Sequence, residues 1–151
     1  MTRLGIVTVL FTAALLMPAA ARADANAPPG LDCTQTYDAV RTYAAGLPGS
    51  TTVTGLPGYD TITVGLQDTW QADFLFTQPG HAAHPAVTLR TRRKQVTGVW
   101  TAESKGCGYG DQSQFVALMA DMKAEDTRLT NASRADVEKL KQSRSPLEPS
   151  P

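Results

Sequence analysis

The two histidines of the chain stand three residues apart in "FTQPGHAAHPAVTLR", residues 76–90, between Pro79 and Pro85. Imidazole is a common ligand for Zn²⁺, Cu²⁺ and Ni²⁺ and the usual general base near neutral pH, so His81 and His84 are the first residues to weigh for chemistry. A structural zinc site needs four protein ligands and a catalytic one usually three. Beyond the histidines only carboxylates such as Asp60, Asp68 or Asp73 remain, and no spacing ties them to this loop. The i, i+3 pair is not the helical H-E-x-x-H pattern, and Pro79, Gly80 and Pro85 argue against a helix here. The segment is expected to be a proline-framed turn between two strands, with Zn or Cu binding by His81 and His84 as the alternative.

Cys33 and Cys107 are the only cysteines. A nucleophilic cysteine with His81 or His84 as its base is the sharper reading. In an exported chain, a single disulfide is the simpler one. Export is indicated by the start of the sequence. Met1–Arg3 is a short basic opening, Leu4–Met17 is uncharged and apolar, and Pro18 precedes small residues at Ala21 and Ala23. That order is a secretory signal peptide, 1–23, cleaved near Ala23. Its apolar run is shorter than the roughly 20 residues of a spanning helix. Cys33 lies too far beyond the apolar core, behind acidic Asp32, for a lipoprotein anchor. The mature chain is expected to be periplasmic or secreted and not membrane-spanning.

Loss of Arg3 and Arg22 with the leader leaves twelve basic against fourteen acidic side chains, a net charge of about −2. Such a balance gives no global attraction to nucleic acid or anionic membranes. The one concentrated charge is "RTRRK", residues 90–94, in which Arg90, Arg92 and Lys94 share a strand face. That row could meet a carboxylate-rich protein or a phosphate, or simply be a solvated face whose charges deter edge pairing. It is short and lacks interleaved aromatics, so nucleic acid is not expected. "GCGYG", 106–110, lacks the Lys-Ser/Thr ending of a phosphate loop, and its glycines are expected to turn the chain tightly around the disulfide. Asn131-Ala132-Ser133 matches a glycosylation sequon.

The elements that must position these residues follow from periodicity. Residues 24–31 form a Pro/Gly-rich linker. Cys33, Tyr37, Val40 and Ala44 align on one helical face, with Asp32 or Thr34 as cap and Gly46 and Pro48 as stop. After the turn-rich 51–60, "DTITVGLQ", "TWQADFLF", "AVTLRTRRK" and "TGVWTAES" alternate with period two. They predict an antiparallel meander of about four strands with one wet face. Trp70, Phe74, Phe76 and Trp100 are assigned to its core. A second helix carries Phe115, Leu118, Met119 and Met122 inward, capped by Asp111 or Ser113. From Thr127 the chain turns polar, with a short third helix capped by Ser133 and then a disordered tail. The reading is a two-layer α+β domain over 32–128, with N-terminal and C-terminal helices, one disulfide, and a polar extension over 129–151.

Phe76-Thr77-x-Pro79-Gly80-His81-x-Ala83-His84-Pro85-Ala86, followed by Arg90, resembles a segment of small exported bacterial proteins of unknown function. The resemblance covers roughly a tenth of the chain. It implies a strand, loop and strand and a bacterial, periplasmic origin, and assigns no residue a role. No Ser/His/Asp order or paired-carboxylate motif stands out. The expectation is therefore a small exported binding protein without a cofactor, inhibitor- or immunity-like, whose partner is another envelope or secreted protein. His81, His84, Arg90, Arg92 and Lys94 are the surfaces favoured for binding. A periplasmic metal-binding protein is the alternative, and a hydrolase with an unfamiliar site is a second.

Overall fold

The computed structural model describes residues 26–143. The expected signal peptide and cleavage site, and the final "RSPLEPSP", lie outside the described residues. The chain folds as an α+β domain: α1 (Tyr37–Ala45), β1 (Thr51–Val53), β2 (Tyr59–Leu66), β3 (Trp70–Thr77), β4 (Ala86–Lys94), β5 (Trp100–Gly108) and α2 (Gln112–Ser143). The strands form one antiparallel meander in the order β1-β2-β3-β4-β5. Four of them are the period-two segments expected from sequence. β1 is a short fifth, hidden in the turn-rich stretch.

Alternation divides the core into two layers, one on each face of the sheet. One face carries Ile62, Val64, Ala72, Phe74, Phe76, Val87 and Leu89, packed beneath Val40 and Ala44 of α1. The other carries Leu75 and Ala86 beneath Leu118 and Met122 of α2. The face expected to be wet is thus covered along much of its length by a helix. Gly106 and Gly108 make that approach possible. A Cβ at either would stand 2.5 Å from Met119 Sδ or Phe115 Cγ respectively. They lie within β5 and let α2 sit close, rather than turning the chain around the disulfide.

Several boundaries differ from expectation for identifiable reasons. Thr36 caps α1, its hydroxyl accepting from the Ala39 amide, so Cys33 precedes the helix instead of lying on its face. Asp32 heads a separate turn, accepting from the Thr34 amide and hydroxyl. Asp111 caps α2 as expected, accepting from the Gln114 amide. Beyond it α2 runs unbroken to Ser143, where sequence suggested an end near Thr127 and a third helix. Its 32 residues contain no glycine or proline, and the inward stripe continues through Asp126, Thr130 and Ser133 in polar form. The Thr130 and Ser133 hydroxyls accept from the outward-facing amides of Ala102 and Trp100, covering the first part of the β5 edge. The extension expected from residue 129 is, through these contacts, part of the domain. Residues 26–31 are likewise no free linker. The Trp70 indole donates to the Asn26 carbonyl, and Leu31 packs on the core. The Cys33–Cys107 disulfide is formed and ties this N-terminal strap to β5.

Candidate functional site

The histidine loop crosses one end of the sheet between β3 and β4, and it sends its two rings into different layers. His84 lies edge-on to Tyr37 of α1, and its Nδ1–H donates to the Thr77 carbonyl at 2.7 Å. His81 lies against Tyr59, which packs in the layer beneath α2. Its Nδ1 accepts from the Ala83 amide at 3.1 Å, so its proton sits on Nε2, which faces the Tyr59 oxygen at 2.9 Å. Both nitrogens of His81 are thereby engaged. The two rings thus have separate partners, His81 with Tyr59 and His84 with Tyr37 and the Thr77 carbonyl. Among the described residues, no three His, Cys, Asp or Glu side chains gather in a group able to hold a metal ion.

The basic row is held in place by carboxylates. Arg90 Nε pairs with Asp126 of α2 at 2.8 Å, Arg92 with Asp73 at 3.4 Å, and Lys94 with Asp68 at 3.1 Å. Arg90 and Asp126 are nearly buried, with side-chain exposures of 14% and 8%. Ser104 donates a further hydrogen bond to the same Asp126 oxygen. The structure thus uses Arg90 to anchor α2, while Arg92 and Lys94 remain at the surface in partnered form. Asn131 is exposed on α2, where its side chain accepts from Arg134.

A different cluster forms where α1, β2 and the start of the histidine loop meet. Asp60 accepts from the Gln78 amide at 2.6 Å and from Arg41 at 2.9 Å. Arg41 also donates to the Tyr37 oxygen, and Tyr37 donates to the same Thr77 carbonyl that holds His84. The Arg41 guanidinium lies 4.8 Å above the centre of the Phe76 ring, where the ring's negative face favours a cation. This network fixes one wall of a groove of about 590 Å³. The opposite wall is β1 and the following turn, with Thr52, Val53 and Leu56, and Ile62 lies on the groove as well. Val53 and Leu56 are both about half exposed.

No protein-family model, curated protein or solved structure matches this chain. The reading therefore rests on the geometry. Of the groove residues, sequence inspection singled out only Asp60, and only as a distant metal ligand. Arg41, Gln78 and Val53 come from separate elements and share no local spacing, so no motif signals them.

The Gln78 amide, followed by Arg41, holds the Asp60 carboxyl below its ordinary value of 3.8. A carboxylate depressed in the folded state adds stability that is complete above its ordinary value and lost as pH falls through the lower folded value. The stability difference between wild type and Asp60→Asn should therefore be flat near neutrality and shrink below about pH 4. Urea unfolding of both proteins across that range checks it; a difference that grows toward acid would contradict the assignment.

Proposed function

We propose that the chain is a small exported binding protein that captures an extended segment of another envelope or secreted protein along β1 and the adjoining groove. The observation that carries this reading is the asymmetry of the two sheet edges. At β5 the outward amides of Trp100 and Ala102 are taken by hydroxyls of α2. At β1 all three residues are exposed, and an apolar rim lies beside them. An open edge strand offers main-chain hydrogen bonds to an incoming strand, and adjacent pockets select its side chains. A three-residue strand pairing with its own copy would bury little of the roughly 1,200 Å² that a stable interface needs, which favours a partner whose segment also fills the groove. Export is supported by the leader-like opening of the sequence and by the formed disulfide. Such a mode suits an inhibitor- or immunity-like role, in which a small stapled domain blocks a partner by contact.

The test is photo-crosslinking in the exported fraction, with the crosslinker placed at Val53 or, as a control, at Val116 on the exposed face of α2. The expected result is one protein adduct from position 53, absent from position 116 and lost with Leu56→Asp. An adduct of equal yield from both positions, or none from position 53, overturns the reading. An adduct with a second copy of this chain would replace it by self-association.

A further inference from the structure

At the opposite end of the sheet, the strap Pro28–Leu31 runs over the rim of β4 and β5 and encloses a cleft of about 370 Å³. Its floor is three cross-strand pairs, Leu89 with Lys105, Thr91 with Glu103, and Arg93 with Thr101. This volume lies within the range of small-molecule pockets. The strap supplies an apolar wall of Pro28, Pro29 and Leu31, held in place by the disulfide at Cys33 and by the bond from Trp70 to Asn26.

The charges at this cleft are unusual within the sheet. Arg90, Arg92 and Lys94 all pair with carboxylates. Arg93, Lys105 and Glu103 all line the cleft, and among the described residues their side chains make no ion pair or hydrogen bond. Arg93 and Lys105 stand at opposite ends of the floor, four residues apart in register, or roughly 13 Å along the strands. Glu103 stands between them. Two unpaired cations flanking one unpaired carboxylate form the complement of a ligand with an acid group toward each end and an ammonium between.

We propose that this cleft binds a small acidic zwitterion, of the class of a dicarboxylic amino acid or the acidic terminus of a short peptide. The ligand's carboxylates face Arg93 and Lys105, where charge-assisted hydrogen bonds form. Its ammonium faces Glu103, and its aliphatic part lies against Leu89 and the strap. The site is separate from the β1 groove, so either proposal survives failure of the other.

The experiment is an amide-shift titration of the ¹⁵N-labelled mature chain with L-glutamate, with succinate and inorganic phosphate as comparison probes. The expected result is a saturable shift confined to residues 28–31, 89–93 and 101–105. Arg93→Gln/Lys105→Gln should weaken L-glutamate about tenfold or more. Glu103→Gln should weaken L-glutamate but strengthen succinate, which has no ammonium and is repelled by that carboxylate. Absence of a localised shift up to on the order of 10 mM L-glutamate overturns the proposal. So does a shift that persists in the double variant. Equal response to inorganic phosphate at the same residues would show an adventitious anion only and overturns it too.

Discussion

Replacing Arg90 by methionine should lower stability by about 3–5 kcal/mol, the usual cost of removing one partner from a buried ion pair. The variant retains a long side chain but leaves Asp126 beneath α2 with only the Ser104 hydroxyl to answer its charge. Asp126→Leu should cost a similar amount, because it leaves the Arg90 guanidinium with only Met122 Sδ among its present side-chain hydrogen-bond partners in the described residues. The double variant Arg90→Met/Asp126→Leu removes both charges together and should recover most of the loss, since apolar residues of like volume often replace such pairs at little cost. Urea unfolding of the four proteins closes the cycle. If the double variant is as unstable as the sum of the singles, the pair is uncoupled and α2 is held by its apolar contacts and by the hydroxyls of Thr130 and Ser133. The same reasoning limits what charge reversal at residue 90 reports. Arg90→Glu would set two carboxylates against each other under the helix, and any loss of partner binding would follow from lost folding. Lys94, paired at the exposed surface with Asp68, is the residue of the row at which charge and folding separate.

These contacts show which parts of the architecture were legible from sequence. Strands β2 to β5 announce themselves because alternation is a local property: Ile62 and Val64, or Phe74 and Phe76, point to one face whatever lies elsewhere. The disulfide was legible for a similar reason, since two cysteines allow one intramolecular pairing. The length of α2 was not. Its inward stripe changes from Leu118 and Met122 to Asp126, Thr130 and Ser133, which looks like a helix passing into a polar tail. Those side chains are polar because of what lies beneath them: Asp126 meets an arginine projecting from β4, and the two hydroxyls meet unpaired amides on the β5 edge. Strand β1 was missed because three residues amid Gly55, Pro57 and Gly58 are too few to show a period. Legibility of the sites follows the same division. The histidine loop was seen as a turn from its prolines. The β1 groove draws on residues from Arg41 to Gln78 and the strap cleft on residues from Pro28 to Lys105, and no spacing rule spans such distances.

The disulfide is where the largest change from a single chemical step is expected. Cys33 and Cys107 are 74 positions apart, so their bond closes a loop spanning α1 and almost the entire sheet. On the chain-entropy account such a loop restricts the unfolded ensemble enough to stabilise the fold by about 4–5 kcal/mol. Cys33→Ala/Cys107→Ala should lose roughly that amount in urea unfolding under oxidising conditions, and reductant should then have no further effect on the variant. The folded state should also respond locally. The strap is tied to β5 at Cys33, just ahead of the nine-residue α1, which is otherwise held by Val40, Ala44 and the Arg41–Asp60 pair, and a helix that short does not persist without tertiary support. Amide exchange should therefore quicken over residues 26–45 in the variant well before it quickens in β3 and β4, whose Phe74, Phe76 and Val87 are fully enclosed. A uniform acceleration across all elements would place the whole effect in the unfolded chain. Faster exchange confined to the strap and α1, with little global loss, would instead make the bond a local clasp. In that case the strap cleft would lose its wall on reduction, and the β1 groove would lose the wall that Arg41 of α1 helps to form, so the redox state would act on both candidate sites.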